Sequence, residues 1–70
     1  MAGMTPGARI KAEREALAIT ADEFAALVGV SRAAVYQWEL DQTRPRLKTQ
    51  HVIADALGVS WGSLFGRVAA

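Results

Sequence analysis

The chain has no cysteine, so neither a disulfide framework nor a thiolate metal site supplements its core, and its one histidine builds no metal site alone. Packing alone must hold the fold. No apolar run approaches the ~18 residues that span a bilayer, and the start lacks the charged and apolar regions of a signal peptide, so the expectation is a cytoplasmic protein. The catalytic inventory is equally thin, with no glycine-rich phosphate loop after a strand and no paired carboxylates on one inner face. Neither an enzyme nor a cofactor is expected.

What is present fits one small domain. A chain of 70 residues buries only about 60 % of the surface its unfolded form exposes, and a partner subunit would help it. The formal net charge of +1 names no partner, but its distribution is informative. Residues 1–28 set Arg9, Lys11 and Arg14 against Glu13, Glu15, Asp22 and Glu23. Residues 29–51 set Arg32, Arg44, Arg46 and Lys48 against Glu39 and Asp41, which makes the middle third the basic part.

Local signals predict an all-α chain, a compact bundle of about five short helices over residues 6–66, with tails at 1–5 and 67–70. Thr5 followed by Pro6 starts helix 1, which runs to about Leu17 with an inward stripe of Ile10, Arg14 and Leu17. Thr20 and Glu23 form a capping box ahead of Phe24, Leu27 and Val28 on one face of a short helix 2. Gly29 supplies a left-handed stop, Val30 folds back onto the helix, and Ser31 caps helix 3, about Arg32 to Leu40. Helix 3 turns Val35, Trp38 and Glu39 one way and Arg32, Ala33, Tyr36 and Gln37 the other. A linker, Asp41 to Pro45, leads to helix 4, whose stripe reads Leu47, Gln50, Ile53, Ala54, Leu57. Gly58, Val59 and Ser60 repeat the earlier turn before a last short helix from Trp61. Gly62 and Gly66 weaken that helix, and its side chains are mainly apolar, which suits core or interface.

A helix-turn-helix needs a small residue in its first helix, a residue tolerant of positive φ in the turn, and apolar residues that fix the crossing. Ala25, Gly29, Phe24, Val28, Val30, Val35 and Trp38 supply them. From Gly7 to Phe65 the chain resembles the Cro/C1-type (XRE) helix-turn-helix family of phage repressors, plasmid and restriction-modification regulators and antitoxins. The resemblance rests on Arg14, Phe24-Ala25, Gly29-Val30-Ser31, Trp38-Glu39, Pro45, and Ile53-Ala54 through Leu57-Gly58-Val59. It implies a lambda-repressor-like domain that acts as a sequence-specific transcriptional regulator, a repressor or autoregulator bound to a double-stranded DNA operator. Several positions depart from the family pattern. Ala21 replaces a frequent phosphate-binding glutamine, Ala18 and Asp41 replace glycines, and Gln50 and His51 replace apolar residues.

The resemblance further implies that helix 3 lies in the major groove, with Arg32, Ala33 and Gln37 at the base-reading positions and Tyr36 placed to touch a base or a phosphate. Their chemistry suits this, since arginine bonds a guanine edge, glutamine an adenine edge, and alanine offers a methyl to thymine. Thr43, Arg44, Arg46 and Lys48, with the backbone N–H groups opening helix 4, are the expected phosphate contacts. Arg14 and Glu39 each put a charge on an apolar stripe, and the family often pairs an arginine with a glutamate there, so both are assigned to a structural ion pair. His51 is read as a polar residue of helix 4. Trp61, Phe65 and Val68 form an i, i+4, i+7 stripe, and a domain this small does not easily hide two tryptophans, two phenylalanines and a tyrosine. A homodimer through that segment is therefore expected. The rival reading is a protein-interaction module, such as an antitoxin that holds a toxin or another regulator as its partner.

Overall fold

The computed structural model describes residues 4–66. Among them five helices follow one another with no strand: α1 (Pro6–Ala16), α2 (Ala21–Val28), α3 (Arg32–Glu39), α4 (Leu47–Leu57) and α5 (Trp61–Phe65). Four of the five start on a hydroxyl that accepts an otherwise unpartnered backbone N–H: Thr5 from Ala8, Thr20 from Glu23, Ser31 from Ala34 and Ser60 from Ser63. The fifth, α4, starts at Arg46 and has no side-chain cap.

The turn between α2 and α3 explains their crossing. Gly29 takes φ +82°, and the N–H groups of Gly29 and Val30 both donate to the Ala25 carbonyl, at 2.8 and 2.9 Å. The same pattern recurs after α4, where Gly58 has φ +70° and Val59 N–H donates to the Ala54 carbonyl at 3.1 Å. Phe24, Val35, Ile53, Ile10 and Leu64 are fully buried, and Trp38, Leu57 and Phe65 close around them.

Three residues of the expected stripes lie outside the core. Leu17 is half exposed because it caps the end of α1; the next residue, Ala18, is left-handed at φ +57°, and Ile19 packs inward instead. Leu27 is 62 % exposed, because the inward face of α2 is Ala21, Phe24, Ala25 and Val28, and at 100° per residue Leu27 stands about 110° from its centre. Leu47 is 61 % exposed for a similar reason, about 70° off the centre of the stripe Gln50, Ile53, Ala54 and Leu57.

Asp41 also has φ +57°, and its side chain compensates. One carboxylate oxygen accepts from Gly7 N–H at 3.0 Å and the other from the Thr5 hydroxyl, so the negative charge sits at the start of α1. At the far end of the chain, Arg9 donates from one guanidinium nitrogen to the carbonyls of Leu64 and Gly66, both at 3.1 Å, fastening the last turn of α5 to α1.

The capping box carries a pH dependence. Glu23 accepts from the Thr20 backbone N–H at 2.8 Å, and that bond, reinforced by the Thr20 side chain, lowers its pKa below the ordinary 4.5. A carboxylate depressed in the folded state stabilises above its unfolded pKa, and the stabilisation is lost as pH falls through the folded value. The thermal midpoint of Glu23→Gln should therefore lie below wild type at pH 7 and converge with it as pH drops below 4.5. Parallel melting curves across that range would show that the Glu23 charge contributes nothing to the box.

Candidate nucleic-acid interface

The α2–turn–α3 wedge has two sharply different faces. Val35, Trp38 and Glu39 are buried on the inner side of α3, whereas Arg32, Ala33, Tyr36 and Gln37 are all exposed on the outer side. The inner charge is matched. Arg14 donates through Nε to Glu39 Oε2 at 2.7 Å and through one terminal nitrogen to Oε1 at 3.1 Å, while its other nitrogen donates to the Ile19 carbonyl at 2.9 Å. This hydrogen bonding, opposed by burial, raises the Arg14 pKa above its ordinary value. Both side chains are therefore engaged inside the fold and present nothing to a ligand.

The segment after α3 is tied back to that helix. The N–H groups of Gln42 and Thr43 donate to the Gln37 carbonyl at 2.9 and 3.4 Å, so the linker turns back directly behind an outer-face residue. Thr43, Arg44, Arg46 and Lys48 are exposed there, and Pro45 between them is buried. Val30, Trp38, Arg44, Pro45, Arg46 and Thr49 line a groove of about 290 Å³ at the uncapped start of α4. Together, two arginines, a threonine hydroxyl and unpartnered N–H groups make a surface suited to an anion.

Some residues escaped the sequence reading. Thr49 lines the groove as well, and its place in the first turn of α4 is the signal the sequence holds for it. Asp22 reaches the Arg32 guanidinium at 3.4 Å across the turn between α2 and α3, with both side chains largely exposed. Such a pair is weak and open to exchange.

The expected C-terminal stripe does not stand as one exposed face. Phe65 is 6 % exposed and belongs to the core beside Leu64, because α5 inserts its Leu64–Phe65 edge between α1 and α4. Trp61 is half-buried, with its ring 6.0 Å from that of His51 and 6.3 Å from that of Phe65, and Val68 lies outside the described residues. Phe24, Trp38 and Phe65 all fit inside the core, so the count of aromatic residues overstated the surplus. Among the described residues, no three His, Cys, Asp or Glu side chains gather to hold a metal ion, and no helix is long and apolar enough to cross a membrane.

Comparison with known proteins agrees with this geometry. The helix-turn-helix family profile matches residues 10–64. Among solved structures the chain is similar to the P22 c2 repressor protein in complex with synthetic operator 9T in the presence of Tl+, at 33 % identity and a TM-score of 0.87, over 93 % of this chain and 100 % of that one. It is also similar to the solution structure of the DNA-binding domain of the P22 c2 repressor, at 33 % identity and a TM-score of 0.84, over 99 % of this chain and 92 % of that one. A search of curated protein sequences finds no match. With its wedge, its turn and most of its length matched, the chain belongs to the helix-turn-helix family in its Cro/C1-type (XRE) form.

Proposed function

We propose that this protein is a sequence-specific DNA-binding transcriptional regulator, a repressor or autoregulator, that reads the major groove with α3. The observation that carries the reading is the division of α3 into a buried edge and an outer face of Arg32, Ala33, Tyr36 and Gln37, on a fold shared with a repressor bound to its operator. Arg32 and Gln37 are the bidentate readers of guanine and adenine, Ala33 meets a thymine methyl, and Tyr36 covers a base or the adjoining phosphate. Thr43, Arg44, Arg46 and Lys48, with the open N–H groups of α4, hold the DNA backbone and set the register. The same reading puts the protein in the cytoplasm. It also pairs two copies through the C-terminal segment at Trp61, so that a palindromic operator presents half-sites about 10 base pairs apart.

Selection from a randomised duplex pool, followed by titration of the selected and a scrambled duplex at several salt concentrations, tests this assignment. Arg32→Ala and Gln37→Ala should each lower affinity for the selected duplex by about 1–3 kcal/mol and leave the scrambled one nearly unchanged. Replacing Arg44, Arg46 or Lys48 should weaken both duplexes alike and reduce the salt slope by about 1 for each phosphate no longer neutralised. Sedimentation of the selected complex should give two chains per duplex. An unaltered ratio between the two duplexes for Arg32→Ala and Gln37→Ala would remove α3 as the reading element, and a single chain per duplex would remove the dimer.

A further inference from the structure

Gln50 is the one uncharged polar residue in the buried stripe of α4, with 5 % of its surface exposed. Its amide joins two elements. Nε2 donates to the Pro45 carbonyl at 2.9 Å, and Oε1 accepts from the Trp61 indole N–H at 2.8 Å. An indole only donates and a carbonyl only accepts, so a side-chain amide, with one end of each kind, links them in a single orientation. Leucine or alanine at position 50 would leave both ends unmet.

The place of the link gives it consequence. Pro45 has no N–H of its own and stands between Arg44 and Arg46, at the entrance to the helix that lacks a side-chain cap. Among the described residues, the bond from Gln50 is the one that a side chain makes to the backbone of residues 44–46. Its other end is fixed as well, since the Trp61 ring stacks on His51 and leans on Phe65. We infer that Gln50 and Trp61 are positioning residues for DNA-backbone binding: the chain from Trp61 through Gln50 to Pro45 holds Arg44 and Arg46 where phosphates are met, so α5 governs affinity without touching DNA. This rests on the DNA-binding reading above. Because the link acts on phosphate binding, it alters affinity for every sequence and leaves discrimination to α3.

Two uncharged substitutions test it in the full chain. Trp61→Phe keeps a ring and removes the donor; Gln50→Met keeps the length and removes both bonds. Binding is measured below the melting temperature of each variant, on a duplex holding one half-site of the selected sequence and on a mixed-sequence duplex of the same length, each taking a single chain, so that pairing of two copies near Trp61 does not enter. Each variant should lose about three- to tenfold on both, with a salt slope smaller by about 1 and an unchanged ratio between them. A role confined to stability would lower the melting temperature and leave affinity and salt slope at wild-type values, which overturns the inference. If Gln50→Met does not fold, Trp61→Phe decides, together with hydrogen exchange of the Trp61 indole in wild type. Coupling is reciprocal, so mixed-sequence duplex should slow that exchange, and an unchanged rate counts against the link. Wild type that binds neither duplex removes the DNA-binding reading itself; wild type that binds, with unaffected variants, removes the link alone.

Discussion

Arg14→Ala is expected to lower the stability of the domain by about 3–5 kcal/mol, and Glu39→Ala by a similar amount, because each strands the other charge in a nearly dry interior. Both partners are 8 % exposed and meet through two parallel N–H···O bonds, while Arg14 also satisfies the Ile19 carbonyl at the turn out of α1. A domain of 70 residues changes its melting temperature by about 4–8 °C per kcal/mol, so either single variant should melt at least ~12 °C below wild type. Removing both charges should cost clearly less than the sum of the single losses, since no unpaired ion remains. Thermal melts of wild type, both singles and the double variant give the coupling, and additivity within ~0.5 kcal/mol would mean that the two groups do not act as a pair. Arg14→Lys should recover only part of the loss, because an ammonium cannot match both carboxylate oxygens and the Ile19 carbonyl in one plane.

Gly7→Ala should be nearly as damaging, at about 3 kcal/mol, through a different cause. A Cβ at that position would collide with the Trp38 carbonyl oxygen and lie 2.8 Å from that of Glu39. Both obstacles are backbone at the end of α3, so no rotamer change relieves them, and α1 would have to lift away from the helix it braces. That movement would also stretch the bond from Gly7 N–H to Asp41 and pull on the Arg14–Glu39 pair. Chemical denaturation at fixed pH reads the loss directly. A midpoint within error of wild type would mean that α1 approaches α3 less closely than the structure has it.

How far the fold was legible depended on the distance over which each determinant acts. The Thr20–Glu23 box, Pro6 behind Thr5 and the Gly29-Val30-Ser31 turn are complete within a few residues, and the helices begin and end where those residues say. The outer face of α3 followed by subtraction, once Val35, Trp38 and Glu39 were taken as its inner edge. Leu27 is exposed although it continues an apolar pattern, because eight residues of helix give two overlapping apolar stripes, and only the packing of α3 and α4 selects between them. Arg9 reaches carbonyls 55 and 57 residues away, and Asp41 reaches the start of α1, 34 residues back. Nothing local announces either. Gln50 was visible as an interruption of an apolar stripe, but its meaning lies in Pro45 and Trp61, which the fold alone brings to its two ends.

The twin turns at Gly29 and Gly58 ask for a handedness rather than for glycine. Both backbones sit at positive φ, and where a Cβ would stand there is nothing within 4 Å in either case. The barrier to other residues is therefore configurational: an L side chain is strained in that region of φ, and its mirror image is at ease there. A chain assembled by chemical synthesis with D-alanine at both sites would keep the packing and hydrogen bonds of the native fold. It would also enter folding with fewer unfolded conformations to give up, which shifts the balance towards the folded state from the denatured side alone.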